Sequence, residues 1–99
     1  MASRRLSVPS DHPAFDGHFP ERPILPGALL LDEALHLLEA DIVLDLAAWE
    51  LASAKFKAPV GPGTELLLEH EASNVRVRFT VYSSAGIVLE GVLARRERP

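Results

Sequence analysis

The chain has no cysteine. Disulfides, a thiolate nucleophile and cysteine-based metal sites are therefore excluded, and the composition fits a reducing compartment such as the cytoplasm. Long apolar runs are missing too. Stretches such as Ala28–Leu31 stop after four residues, whereas a membrane-spanning helix needs about 20. No apolar segment follows Arg4 and Arg5, so no secretory signal is read there. Positive charge is not in excess: 10 Lys and Arg against 14 Asp and Glu give a formal net charge of −4. A general affinity for nucleic acid or anionic membrane does not fit that balance. The four histidines form no His-x-x-x-His or similar ligand set, so neither a metal nor another cofactor is expected. Internal repeats and domain boundaries are absent as well. The 99 residues then read as one domain spanning 1–99. A domain of this size buries only about 60–65% of the surface its unfolded chain exposes. Its core is modest, and pairing with a second copy would enlarge it.

Hydrophobic periodicity supplies the architecture. Residues 3–9 alternate weakly and suggest a short strand ending at Pro9. Residues 10–27 are rich in Pro, Gly, Asp and His, which predicts a loop. That loop also carries Phe15, Phe19, Ile24 and Leu25, too many large apolar groups for a solvated linker, so it is read as packed and functional. Pro26-Gly27 opens a helix running to about Ala40, built wholly of tolerable or strong helix formers. On a helical wheel Leu30, Leu31, Ala34, Leu35, Leu37 and Leu38 cover more than half the circumference. Asp32, Glu33, His36 and Glu39 fill the rest, which predicts a helix packed on most sides.

Four strand-like stretches follow, at 47–58, 64–72, 75–82 and 87–95. The third places Val75, Val77, Phe79 and Val81 on one face and Arg76, Arg78 and Thr80 on the other. Pro59-Val60-Gly61-Pro62-Gly63 and Ser83-Ser84-Ala85-Gly86 are the turns. His70 is expected on an exposed strand face. One helix against one antiparallel sheet is an α+β layer arrangement, and a sheet curled round a single apolar helix is the hotdog arrangement.

The arginines concentrate at the two ends: Arg4 and Arg5 at one, Arg95, Arg96 and Arg98 at the other. They are either solvated termini or a basic rim that attracts an acidic carrier protein.

The most informative stretch is Gly17-His18-Phe19-Pro20-Glu21-Arg22-Pro23-Ile24-Leu25-Pro26-Gly27, followed by Ala28-Leu29-Leu30-Leu31-Asp32. It resembles the active-site segment of the bacterial β-hydroxyacyl-acyl-carrier-protein dehydratases: Gly-His-Phe-Pro, then Pro-x-x-Pro-Gly, then a helix with an acid in its second turn. Asp32 lies 14 positions after His18, which is the family spacing. Lys55-Phe56-Lys57-Ala58-Pro59-Val60-Gly61-Pro62-Gly63 is similar to a second family segment. The chain departs from the main fatty-acid enzymes in a shorter N-terminal part. It also carries His36 where Gln usually follows the acid by four positions. Its compactness resembles the dehydratases of aryl polyene and related specialised lipid pathways.

The resemblance implies a hotdog fold and dehydration of a 3-hydroxyacyl thioester, carried on acyl carrier protein, to the trans-2-enoyl product. It implies His18 as the base and Asp32 as the acid, brought from different subunits of a homodimer whose sheets join edge to edge. A heterodimer with another hotdog subunit is the related possibility. These residue types suit the reaction. A neutral imidazole with a pKa near 6.5 can take the weakly acidic Cα proton at neutral pH. A carboxyl group can protonate or position the departing C3 hydroxyl. The Gly27 N–H, at a helix N-terminus, can donate to the thioester oxygen as negative charge builds there, a contribution of about 3–4 kcal/mol to the barrier. Phe19, Pro26, Leu29 and His36 are the expected substrate-side neighbours.

Each residue also has a plainer reading. His18 could cap a loop carbonyl, Asp32 could be solvated, His12 could be a turn residue, and His36 could serve structure alone. Glu33 is the neighbouring acid, turned about 100° away on the helix. Two other functions share the fold: an acyl thioesterase, and a non-catalytic subunit supporting a larger hotdog partner.

Overall fold

In the computed structural model the described residues are 2–7, 27–42, 45–61 and 63–96. They form strand β1 (Ala2–Ser7), helix α1 (Gly27–Asp41), a 3₁₀ turn (Leu46–Ala48), and strands β2 (Trp49–Phe56), β3 (Glu65–Ala72), β4 (Arg76–Ser83) and β5 (Gly86–Arg95). The strands make one sheet in the order β1-β3-β4-β5-β2, and every neighbouring pair is antiparallel. The helix lies on one face. This is the α+β hotdog arrangement expected from the sequence, with element ends within two residues of expectation where they are described.

Alternation along the strands builds the core. Leu66 and Leu68 of β3, Val77, Phe79 and Val81 of β4, and Leu89 and Leu93 of β5 all point to the helix side and are buried. Helix α1 meets them with Leu30, Ala34 and Leu38, a four-residue spacing that traces one narrow line along the helix. Asp41 ends the helix, where its charge opposes the helix dipole. Arg4 reaches across from β1 and pairs with it, tying the edge strand to the helix end. The hairpins are closed by serines. Ser73 Oγ accepts from the Arg76 N–H at 3.1 Å, and Ser83 Oγ from the Ala85 N–H at 3.2 Å.

Three expectations are corrected. His70 is not on an exposed face; it is only 6% exposed. The Leu66-Leu67-Leu68 run hides the phase of β3, and period-two counting from buried Leu66 and Leu68 turns His70 inward. Val75 is exposed, because it sits in the β3–β4 turn just before the strand begins. The helix is not packed on most sides. Only the 30/34/38 line is buried, while Leu31, Leu35 and Leu37 are partly covered and Leu29 is exposed.

Gly91 marks the tightest point of the sheet. It lies directly across from Phe79 in the β4–β5 register, and a Cβ placed on it would fall within the Phe79 ring. The fully buried ring of Phe79 occupies the space a side chain would take. Gly91→Ala is therefore expected to destabilise the fold by about 1–3 kcal/mol, as overpacked cores do. In a Phe79→Ala background, itself costing about 3–5 kcal/mol, the Gly91 penalty is expected to disappear. Urea denaturation of the four variants in a double-mutant cycle measures this, and additive penalties would contradict the packing argument.

Candidate active site

Gly27 opens helix α1, and its N–H is one of the donors that an α-helix leaves without an intrahelical acceptor. A Cβ at this position would lie 2.9 Å from two ring atoms of Phe56. Glycine is what allows the helix start to approach the end of β2. Beside this contact is an open cleft of about 310 Å³, walled by Gly27, Leu30, Phe56, Lys57, Ala58 and Val60. The sequence motifs assign no site role to Leu30, Phe56 or Lys57, although the last two belong to the Lys55–Gly63 segment that is similar to the family. Lys57 is half-exposed and stands 3.9 Å from Glu90, a loose pair that leaves its charge near the cleft.

The other described candidates, Leu29, Asp32 and His36, share a different face of the helix. Their spacings of three and four residues place them in one row, away from the Leu30–Ala34–Leu38 line. Five residues separate Gly27 from Asp32, which is about 140° round the helix. The Gly27 N–H points along the axis from the helix start, whereas Asp32 projects sideways and does not line the cleft there. Asp32 and His36 are open to solvent, with side chains 63% and 68% exposed. His36 Nδ1 lies 2.9 Å from the Asp32 carbonyl oxygen and 3.5 Å from Asp32 Oδ2. With the proton on Nδ1, the ring donates to that carbonyl. His18, Phe19, Pro26 and His12 lie outside the described residues.

The arginines do not gather into one rim. Arg5 aligns with Leu67, Tyr82 and Ile87, at the start of β5, whereas Arg95 ends that strand opposite Trp49. Arg4 is engaged by Asp41, and Arg96 stands 3.9 Å from Glu50. Arg98 lies outside the described residues. Sequence position alone could not separate the two groups, because sheet order rather than chain order sets their distance.

The Asp32 carbonyl raises the pKa of His36 first, by accepting its hydrogen bond, and the Asp32, Glu39 and Glu33 carboxylates add to this. His36 is therefore expected to titrate above the ordinary value of 6.5. The stabilising contribution of the protonated ring is fully present below that ordinary value and fades as pH rises through the elevated one. Asp32→Asn is expected to lower the His36 pKa without abolishing its elevation, since the backbone carbonyl stays. An NMR pH titration of the ring protons reads both. A midpoint at or below 6.5, or no change in the variant, would contradict the geometry.

Comparison with known proteins places this geometry in a family. Residues 1–91 match the family model of the ApeI-like proteins, described as ApeI dehydratase. The 3-hydroxyacyl-(acyl-carrier-protein) dehydratase FabZ of Gluconacetobacter diazotrophicus is 35% identical, over 87% of this chain and 58% of its own length. The protein of the same name from Caldanaerobacter subterraneus is 30% identical, over 92% of this chain and 70% of its own. The chain thus spans about three fifths of the length of the first of these relatives. Among solved structures, the dehydratase heterocomplex ApeI:P from Xenorhabdus doucetiae superposes with a TM-score of 0.74 at 25% identity, covering 95% of this chain and 86% of that one. On a match through nearly its whole length, and on a fold shared with those structures, the chain belongs to the ApeI-like dehydratase family.

Proposed function

We propose that the protein removes water from a 3-hydroxyacyl thioester carried on acyl carrier protein, giving the trans-2-enoyl thioester, in a site shared between two chains. In this reading His18 takes the Cα proton. Asp32 of the partner subunit delivers a proton to the leaving C3 hydroxyl. The C–O bond breaks as the Cα–Cβ double bond forms, and water departs. The Gly27 N–H donates to the thioester oxygen while the enolate character develops. Phe19, Pro26 and Leu29 give the acyl chain apolar surroundings, and His36 holds the Asp32 carboxyl in place. Membership of a dehydratase family and the names of the relatives support the reaction and its carrier. The cleft at the helix start, apolar on most sides with Lys57 at its rim, suits a thioester entering from an anionic carrier.

The observation that carries the two-chain part is the placement of Asp32. Its side chain is 63% exposed and does not line the cleft that opens beside Gly27. A second chain meeting the exposed row of Leu29, Asp32 and His36 supplies the missing geometry.

His18→Ala is expected to abolish turnover of 3-hydroxyacyl-acyl carrier protein, and Asp32→Ala to slow it about 10²–10⁴-fold, the range of a lost general acid or base. Mixing the two variants after dissociation and reassociation is expected to restore about a quarter of the wild-type activity. Half of a random twofold mixture is hybrid, and each hybrid rebuilds one of two sites. Enoyl product is followed by mass spectrometry. Full activity in His18→Ala would overturn the reading. Free thiol release in place of enoyl product would assign a thioesterase instead.

A further inference from the structure

Asp32 and His36 stand one turn apart on helix α1. In the proposed reaction Asp32 delivers a proton, and His36 holds its carboxyl. The contacts of the ring allow a second task. Nδ1 lies 2.9 Å from the Asp32 carbonyl oxygen and 3.5 Å from Asp32 Oδ2. Both acceptors belong to the same residue. A proton on Nδ1 therefore has the backbone oxygen as its hydrogen-bond partner and a carboxylate oxygen as the next acceptor. The Asp32 side chain is exposed and can rotate, which brings Oδ2 into the hydrogen-bonding range of about 2.7–3.2 Å.

The surroundings of the ring keep it charged and in touch with water. Among the described residues, the charged groups acting on it are the carboxylates of Asp32, Glu39 and Glu33, all on its own helix. None of them is a cation. Three acids with no opposing base stabilise the imidazolium form. In the two-chain site the partner's His18 faces the same carboxyl across the substrate. The ring itself is 68% exposed, so a proton lost from it is replaced from water.

The reaction has a use for such a group. After one turnover Asp32 is left as a carboxylate and His18 carries the Cα proton. Before the next, Asp32 must be recharged and His18 discharged. A carboxyl can act as an acid again only once it holds a proton, and the imidazolium one turn away holds one within reach.

We infer, on the dehydratase reading proposed above, that His36 recharges Asp32 and so links turnover to the protonation of an exposed imidazole. The Nδ1–H bond of the imidazolium breaks as an O–H bond forms at Asp32 Oδ2. The ring is left neutral and regains a proton from water. His18 returns its proton to water in the same cycle. One proton leaves the site for each that enters, and the net products remain the enoyl thioester and water. His36 acts through Asp32 and does not touch the substrate, so it is a positioning residue with a proton to give.

The sign of the pH dependence follows. His36 supplies a proton only while protonated, so turnover is expected to fall as pH rises through its pKa, which lies above the ordinary 6.5. On the acid side turnover falls because His18 must be neutral to act as base, which gives a bell-shaped profile.

Two variants separate holding the carboxyl from recharging it. His36→Gln keeps a side-chain N–H donor but has no titrating proton. It is expected to lower kcat about tenfold, less than loss of the acid itself because water still recharges Asp32 slowly. KM for 3-hydroxyacyl-acyl carrier protein is expected to stay unchanged, and the alkaline limb of the profile to move or vanish. His36→Ala is expected to lose at least as much, and to recover several-fold on addition of imidazole, in proportion to the protonated form of the added base. The side chain is exposed, so neither substitution is expected to disturb the fold, which circular dichroism checks. An unchanged kcat and alkaline limb in His36→Gln, an effect on KM alone, or a His36→Ala protein indifferent to imidazole would each overturn the recharging role and leave the dehydratase reading in place. A wild-type protein that forms no enoyl product would remove both.

Discussion

Helix α1 fully buries a single line of side chains, Leu30, Ala34 and Leu38. Most of the molecule's behaviour depends on how narrow that line is. The three buried residues lie on the leucines, valines and Phe79 of β3, β4 and β5, and they hold the helix in a fixed rotation about its axis. That rotation turns the Gly27 end toward Phe56 and the cleft beside it. It turns Leu29, Asp32 and His36 into solvent. A broader apolar contact would have buried the flanks of the helix within one chain. The narrow one leaves partly covered leucines and an exposed acid on a chain too small to cover them itself.

The proposed chemistry uses both consequences. A thioester needs a fixed donor for its oxygen and a proton source for its hydroxyl, and in the proposed site these are the N-terminal end of helix α1 and a carboxyl on its exposed side. In the proposed site one chain presents its amide and the other presents its acid. At the end of the edge strand β2, Phe56 walls the cleft, and the bulge between Leu51 and Ser53 brings Trp49 and Phe56 onto the same face.

Membership of the ApeI-like family fits these constraints without supplying them. The similarity runs through nearly the whole chain.

The sequence by itself determined the element order, the apolar face of β4, the helix start at Gly27, and the spacing that singles out His18 and Asp32. Each of these depends on neighbours in the chain, and local periodicity or a short motif is enough to show them. The burial of His70, the exposed flank of the helix, the cleft beside Phe56, the separation of the two arginine groups and the bulge in β2 depend on residues brought together across the sheet. Three consecutive leucines carry no phase until β1 and β4 pair on either side of them. Charges at the two ends of the chain have no distance between them until strand order sets it. Only the tertiary structure decided these points, because a side chain's surroundings are set by the strands and helix that pack against it, and sequence separation does not measure that packing.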